Sequence, residues 1–193
     1  MTVFFTSDTH FGHAAILRYC NRPFSSIEEH DEALIERWNA VVGPKDEVWH
    51  LGDFAFHHGR GEETARIFRR LRGRKHLIIG NHEPRSKATL RLPWAEPPAH
   101  YREISFAGQR IILFHYAMRT WNACHHGSLA LFGHSHGKMP GNSQSLDVGV
   151  DAWDYRPVTL DEIKQRMATL PPFTSEDYHK PRSPIEPHQD EGR

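Results

Sequence analysis

The sequence Leu131-Phe-Gly-His-Ser-His-Gly137 places two imidazoles, His134 and His136, one residue apart directly after a short apolar run. Because alternate side chains of a strand lie on one face, such a pair at the end of a strand can direct both rings to one point. On its own an H-x-H pair is a weak indication of a metal site. Its weight depends on whether other predicted strand ends carry side chains of the same kind.

Four further blocks of polar residues also follow short β-branched or aromatic runs. These blocks are Asp8 with His10, Gly52-Asp53, Gly80-Asn81-His82, and His115. Taken singly, Asp8 and His10 are equally compatible with a helix N-cap and a loop histidine. Together, five predicted strand ends carry carboxylate, amide and imidazole groups, which are ligands of divalent transition metals. The sequence therefore predicts a metal centre.

Composition and charge restrict the class of protein. A chain of 193 residues is long enough for one domain with a sizeable core, and its 16 histidines favour metal or phosphate chemistry. Lys plus Arg equals Asp plus Glu at 24 each, so the basic excess expected of a protein that binds long duplex nucleic acid is missing. A small anionic substrate remains compatible with this balance, because a metal centre can supply local positive charge.

Cysteine usage and hydropathy predict a cytoplasmic protein. The chain has two cysteines, Cys20 and Cys124, and its first residues lack the basic leader and the apolar length of a signal peptide. No stretch reaches the roughly 18 apolar residues that a membrane span requires. We therefore expect free thiols and no membrane partner, while the oligomeric state stays open.

Alternating strand and helix patterns predict an α/β fold with a partly parallel sheet. Strands are expected at 3–6, 47–51, 76–79, 101–106, 110–114, 128–132, 146–150 and 156–159, and helices near 13–20, 26–42, 62–71 and 160–170. Ser25 or Ser26, followed by Glu28 or Glu29, is typical of a capping box. Residues 85–100 are expected to form a loop with little regular structure. A single domain over 1–170 and a flexible, proline-rich C-terminal tail over 171–193 complete this prediction.

The five blocks resemble, in order and spacing, the motifs of the calcineurin-like metallophosphoesterases over about residues 1 to 150. Any one block is weak, whereas the combination is highly specific. The resemblance, to a small member of the bacterial or phage type, implies two mixed β-sheets packed as a four-layer sandwich flanked by helices. It also implies that the blocks meet at one edge of the sandwich and hold two metal ions.

The resemblance further implies how the ligands are divided between two divalent transition-metal ions. Asp8, His10 and His136 would bind the first ion, Asn81, His115 and His134 would bind the second, and Asp53 would bridge the two. Nitrogen and oxygen ligands without a thiolate suit manganese, iron, zinc, nickel or cobalt, and manganese is the first expectation.

The implied activity is hydrolysis of a phosphodiester or phosphomonoester in a small or nucleotide-like substrate, by attack of a hydroxide that bridges the metals. A phosphodiester is the favoured substrate. His82 matches the family histidine that stabilises or protonates the leaving group. Phe56 stands where the phosphoprotein-phosphatase branch has an aspartate that orients this histidine. We therefore expect Glu83 or a backbone carbonyl to orient His82, and protein-phosphatase activity is disfavoured.

Four side chains are candidates for contact with the substrate, namely Arg119, Trp121, His58 and Arg22. The guanidinium of Arg119 suits bidentate binding of phosphate, and the indole of Trp121 suits stacking on a base. The ordinary alternative for each is a solvated or structurally bonded side chain. For Trp121 packing at the surface is an equal alternative.

Two other classes of function remain open. A module of this fold that has lost catalysis and serves as a scaffold is one, although such proteins usually show gaps in the ligand set and no gap appears here. A nuclease that acts on short single strands is the other. A hydrolysis assay on simple phosphate esters separates the scaffold from the enzyme.

Overall fold

The computed structural model describes residues 1–56 and 61–174, and its strands and helices are as follows. The strands are β1 (Val3–Thr6), β2 (Glu47–His50), β3 (Arg74–Leu77), β4 (Tyr101–Phe106), β5 (Gln109–Phe114), β6 (Leu129–Phe132), β7 (Ser145–Asp147) and β8 (Val158–Thr159). The helices are α1 (Ala14–Tyr19), α2 (Ile27–Val41), α3 (Gly61–Arg70), α4 (Lys87–Leu90) and α5 (Leu160–Met167). Short 3-10 helices occupy Glu83–Arg85, Cys124–His126 and Val150–Ala152. No helix in the described ranges has the length and apolar character needed to cross a bilayer.

The strands form two mixed sheets of four strands each, which confirms the predicted fold class. The first sheet has the order β3-β2-β1-β8, with β8 antiparallel to β1 and the other pairs parallel. The second has the order β4-β5-β6-β7, with the predicted hairpin β4–β5 antiparallel and the other pairs parallel. In both sheets the parallel strands therefore end along a common edge.

The alternation of side chains along β1 explains how the layers pack. Phe5 faces the second sheet, where it shares one apolar cluster with Leu113 and Leu131. Phe4 faces the other way, into a cluster with α2 and α3 that includes Trp38 and Phe68. A strand buried on both faces is expected to read as a continuous apolar run, as Val3–Thr6 does.

The start of α2 follows the predicted capping signal. The side chain of Ser26 accepts a hydrogen bond from the backbone N–H of Glu29, and the Glu29 carboxylate accepts from the backbone N–H of Ser25. Ser26 is therefore the N-cap of the two alternatives.

Several parts of the sequence prediction differ from the structure. The strand predicted at 146–150 is Ser145–Asp147, with Val150 in a 3-10 helix, and the strand predicted at 156–159 is only Val158–Thr159. The third strand is Arg74–Leu77 rather than 76–79, because the edge position of β3 tolerates the polar residues at its start. The segment 85–100 is more regular than expected, since it contains α4 and pairs back to the first sheet through Ala99 and Ile78.

The C-terminal segment begins as a packed chain. Phe173 lies within the predicted tail, and its ring packs against Trp121 with the centroids 4.8 Å apart. Its backbone N–H donates to the Ser143 hydroxyl at 2.8 Å. The rest of the predicted tail, 175–193, lies outside the described residues.

A direct backbone connection joins the two sheets at the edge where the ligand blocks lie. Ser7, just after β1, forms a parallel bridge with Gly149, which follows β7. The backbone N–H of Val150 donates to the Ser7 carbonyl at 3.0 Å. The carboxyl ends of parallel strands from both sheets are thereby brought to one place.

Candidate metal centre

Three of the five ligand blocks contain non-glycine residues in an uncommon backbone conformation. Positive φ values occur at Asp8 (57°), His10 (50°), Asp53 (57°), His134 (65°) and His136 (50°). Such values are rare for residues other than glycine, and they cluster at functional sites where surrounding contacts hold them. His134 and His136 lie in a left-handed turn rather than in extended strand, and their rings belong to different ligand groups.

The first group of side chains comprises Asp8, His10 and His136. Their ligand atoms all lie within 4.8 Å of one another. Asp8 is completely buried, and its carboxylate oxygens accept from the backbone N–H of His134 at 2.9 and 3.1 Å. The Nε2 atom of His10 is buried without a hydrogen-bond partner among the described residues. A buried nitrogen left without a partner is what a metal position leaves behind.

The second group comprises Asp53, His115 and His134, whose ligand atoms also lie within 4.8 Å of one another. The His115 Nε2 atom is 3.5 Å from Asp53 Oδ2 and 3.1 Å from the amide oxygen of Asn81. The structure thus brings together every side chain that the resemblance assigned to the second ion.

One carboxylate oxygen connects the two groups. Asp53 Oδ2 lies 3.6 Å from His10 Nε2 and 3.5 Å from His115 Nε2. Ligand atoms about 2.1 Å from a common ion are separated by about 3.0–3.4 Å in octahedral or tetrahedral geometry, so both separations are slightly longer than those of two ligands on one ion. Asp53 is therefore the carboxylate that lies close to a histidine of each group.

The histidines of the site are held through one ring nitrogen and present the other. The Nδ1 atom of His115 is 2.7 Å from the Leu51 carbonyl oxygen, and that of His136 is 2.7 Å from Asp151 Oδ2. In His10 the Nδ1 atom is 3.1 Å from Nδ1 of His13. Such contacts fix the orientation of metal-binding histidines, and here they leave the Nε2 atoms for the centre.

Two buried carboxylates that the sequence analysis did not recognise hold the ligand loops in place. Glu83 accepts hydrogen bonds from the backbone N–H groups of Asp53, Phe54 and Gly80 at 3.0, 2.8 and 2.7 Å. Asp147 holds the H-x-H turn in place. It accepts hydrogen bonds from the backbone N–H of Gly137 at 2.9 Å and from the Ser135 hydroxyl at 2.5 Å. Asp147 is the last residue of β7 and Glu83 the first of a 3-10 helix, so no strand-end pattern marks these roles.

His82 lies beside both groups but belongs to neither. Its backbone N–H donates to Asp53 Oδ1 at 2.9 Å, and its Nε2 atom is 3.9 Å from Asp53 Oδ2. Neither expected partner orients this ring through Nδ1: the Glu83 carboxylate accepts from backbone N–H groups, and His82 Nδ1 is buried without a hydrogen-bond partner among the described residues. Phe56 instead packs against the ring at 90° with a centroid distance of 5.0 Å.

Further side chains with metal-binding atoms surround the two groups. His10 and His82 also lie within 4.8 Å of His13, and His136 lies within 4.8 Å of Asp151 and Cys20. Both cysteines are free, as predicted. The Nδ1 atom of His10 already contacts Nδ1 of His13, and that of His136 contacts Asp151.

Burial of the carboxylates dominates the electrostatics of the centre. Burial raises the pKa of Asp8 to about 7. Burial alone would lower the pKa of His115 and His136, but the hydrogen bonds and charges of Asp53, Asp151 and Asp8 raise these pKa values to about 9 and about 10. Protons on His115 and His136 thus balance the buried anions, and a divalent cation can replace them.

Burial and hydrogen bonding change the interpretation of the predicted substrate residues. Trp121 is wrong as a base-stacking platform: it is 8% exposed, packs on Phe173 and donates its indole N–H to the Ser128 carbonyl at 3.1 Å. Arg22 is wrong as a phosphate ligand, because it is buried and bonded throughout to the protein. Arg119 is exposed and lies outside both ligand groups, and His58 lies outside the described residues.

Comparison with known proteins covers the whole ligand set. Residues 1–147 match the profile of the calcineurin-like phosphoesterase superfamily domain. An uncharacterized protein of Methanocaldococcus jannaschii is 32% identical over 168 residues, covering 83% of this chain and 88% of that protein. The gene 66 protein of Mycobacterium phage L5 is 30% identical over 190 residues, covering 82% of this chain and 90% of that protein. A solved structure of a protein of unknown function from Aquifex aeolicus has a TM-score of 0.67 at 26% identity, covering 86% of this chain and 98% of that chain.

Metal affinity is expected to rise with pH. Because His115 and His136 have pKa values of about 9 and about 10 without metal, an ion that binds at neutral pH must displace their protons. Each displaced proton strengthens apparent binding about tenfold per pH unit. Calorimetric titration of metal-free protein with Mn²⁺ at pH 6.5, 7.5 and 8.5 measures this slope. An affinity that does not change with pH contradicts the prediction. His126→Asn removes an exposed histidine and is the control, which should show the same pH dependence of metal affinity as wild type.

Replacement of Gly133 by alanine is expected to disrupt the centre sterically. A Cβ atom there would lie 2.0 Å from the Ser7 hydroxyl oxygen and 2.5 Å from Asp8 Oδ2. Forced overpacking of this kind costs about 1–3 kcal/mol, and displacement of Asp8 should weaken metal binding. Gly108→Ala is the control for lost stability without a clash at the centre: no atom lies within 4 Å of its Cβ position, but its φ of 74° strains the backbone of alanine, so it should lose stability and keep normal metal binding. Urea denaturation and metal titration of both variants test this, and normal metal binding by Gly133→Ala would contradict it.

Proposed function

The chain belongs to the calcineurin-like phosphoesterase superfamily, and from this premise we propose that it hydrolyses a phosphate ester with two divalent transition-metal ions. The single observation that supports this most is the position of Asp53 Oδ2, at 3.5–3.6 Å from one histidine of each ligand group. A carboxylate placed in this way serves two ions rather than one.

Each ion has its own set of protein ligands in this proposal. Asp8, His10, His136 and one Asp53 oxygen hold the first, and Asn81, His115, His134 and Asp53 hold the second. When bound, the two ions supply positive charge to the phosphoryl oxygens and lower the pKa of a water molecule. Histidine, amide and carboxylate ligands without thiolate favour manganese, with iron, zinc, nickel and cobalt as alternatives.

The protein side chains contribute position and a proton donor. Asp53 is fixed by the backbone N–H of His82, and Glu83 fixes the loop that carries Asp53. The His82 ring is partly exposed, so it can reach a substrate above the ligands. In the proposed mechanism it donates a hydrogen bond or proton to the oxygen of the leaving group, where negative charge develops.

A small or nucleotide-like ester is the proposed substrate, with a phosphodiester preferred to a monoester. The use of all Arg22 donors within the protein supports the diester, because that guanidinium no longer offers charge to a dianionic phosphate. The balance of 24 basic against 24 acidic residues argues against long duplex nucleic acid. Short single strands are the second candidate substrate, because the charge balance argues only against long duplexes.

The choice between an enzyme and a scaffold depends on the completeness of the site. A scaffold does not need the partly exposed His82 next to a full ligand set, and strongly shifted pKa values such as those of Asp8 and His136 cluster at functional sites. We therefore favour hydrolysis over metal-dependent scaffolding.

Asp53→Asn is expected to remove metal binding and turnover together. Asparagine has a neutral amide in place of the carboxylate, so it lacks the negative charge that holds two cations close together. The measurements are metal content after dialysis against Mn²⁺ and hydrolysis of bis-p-nitrophenyl phosphate and p-nitrophenyl phosphate, with wild-type protein active only with metal. Full activity of Asp53→Asn would exclude the proposal. Asp161→Asn, at an exposed position of α5, is the matched control and should behave as wild type.

His82→Ala is expected to keep the metals and lower turnover. The loss should be about 10²–10⁴-fold for esters with poor leaving groups and smaller for nitrophenyl esters, since good leaving groups need little help from an acid. A series of aryl phosphodiesters with graded leaving-group pKa measures this dependence. An equal loss across the series would show that His82 does not assist the leaving group.

A further inference from the structure

Arg22 has a fully occupied guanidinium in the interior of the protein. It is only 4% exposed. Its Nε and Nη2 atoms donate to the two carboxylate oxygens of Asp151 at 2.8 and 2.7 Å. Nη2 also donates to the Asp8 carbonyl at 2.7 Å, and Nη1 lies 3.1 Å from the Thr9 carbonyl and 2.7 Å from His30 Nε2. All five N–H groups of the guanidinium are therefore used.

The partner of Arg22, Asp151, also contacts a residue of the first ligand group. Its Oδ2 atom is 2.7 Å from Nδ1 of His136 while it accepts the Arg22 N–H at the same distance. Asp151 lies just beyond the range matched by the family profile, which ends at residue 147. Arg22 lies 129 positions away along the chain, between α1 and α2.

We propose that Asp151, held in place by Arg22, is a positioning residue that presents the Nε2 atom of His136 to the first metal ion. This inference rests on the proposed function, because it assigns the device that completes one of the two ion sites. An aspartate that accepts from Nδ1–H keeps the proton on that nitrogen, and Nε2 then carries the lone pair that a metal needs.

The bidentate pair fixes two parts of the site at the same time. Through its carbonyl contacts Arg22 holds the backbone at Asp8 and Thr9, next to left-handed residues that need external support. Through Asp151 it holds the His136 ring on the opposite side of the first ligand group. A planar guanidinium suits this task, since a lysine has no fixed fork with which to hold both partners.

The first experiment measures Zn²⁺ binding to the metal-free full chain by calorimetry. Asp151→Asn keeps the size of the side chain but weakens its hold on Nδ1–H. We expect one of the two equivalents to bind about 10–100-fold more weakly and the other to be unchanged. Asp154→Asn is the matched control, because Asp154 is exposed and its left-handed backbone suits asparagine. It should bind both equivalents as wild type does.

A second measurement separates positioning from simple structural support. Nitrogen-15 NMR of the Zn²⁺-loaded protein reports which nitrogen of His136 carries the proton, and its signals are assigned by their absence in His136→Asn. Wild type should show Nδ1 protonated, and Asp151→Asn should show loss of this single form. Should Asp151→Asn fail to fold, Arg22→Lys provides the test: it retains the Asp151 carboxylate, and should weaken the same equivalent by a smaller factor.

The outcomes distinguish this inference from the proposed function. Two equivalents of wild-type affinity in Asp151→Asn, or a wild-type His136 with its proton on Nε2, would overturn the positioning role alone. Equal weakening of both equivalents would also overturn it, because the pair would then support the fold in general. A wild-type protein that binds no Zn²⁺ would overturn the proposed function as well.

Discussion

The structure depends on the burial of anionic carboxylates at the edge where the two sheets meet. Asp8 and Asp53 lie at the carboxyl ends of neighbouring parallel strands, are almost inaccessible to solvent, and face the same small space. Removing a carboxylate from water is costly unless it is paired or bound to a metal. The surroundings meet this cost with backbone N–H groups and with the imidazoles of His115 and His136. A pair of divalent cations would bind the same carboxylates and imidazoles. The groups that stabilise the buried charges are therefore also the groups that metal chemistry requires.

The backbone around these carboxylates is held by a further set of buried acids that are not ligands. Glu83 fixes the loop after β2, Asp147 fixes the H-x-H turn, and Asp151 contacts the His136 ring. Each lies on a different segment from the loop or ring that it holds. The left-handed residues of the site gain external support in this way, which is the condition under which such strain persists in folded proteins. A precise ligand geometry therefore depends on these three carboxylates, which accept hydrogen bonds from the ligand loops and from a ligand ring, as much as on the ligands themselves.

Sequence patterns predicted the fold, and they also predicted which polar side chains lie together at one edge, for identifiable reasons. Apolar runs followed by polar blocks mark where parallel strands end, so Asp8, Asp53, Asn81, His115 and His134 could be expected at one edge. The partners of these residues could not be predicted, because a hydrogen bond such as that from Arg22 to Asp151 joins positions 129 residues apart and leaves no local periodicity. For the same reason Arg22 was interpreted as a phosphate ligand: the sequence shows its proximity to the site, but not that its donors are already used.

The surroundings of His82 show how a substitution in a motif can change the physics of a site without removing its chemistry. In the phosphoprotein-phosphatase branch an aspartate orients the corresponding histidine, whereas here Phe56 packs edge-on against the ring. An aspartate would stabilise the protonated imidazole, but an aromatic edge offers only packing, and burial lowers the pKa of His82 below its usual value. The neutral ring is therefore favoured near neutral pH. A neutral imidazole still donates one hydrogen bond, so in this chain His82 is better suited to stabilising a departing oxygen than to carrying a proton permanently in the resting site.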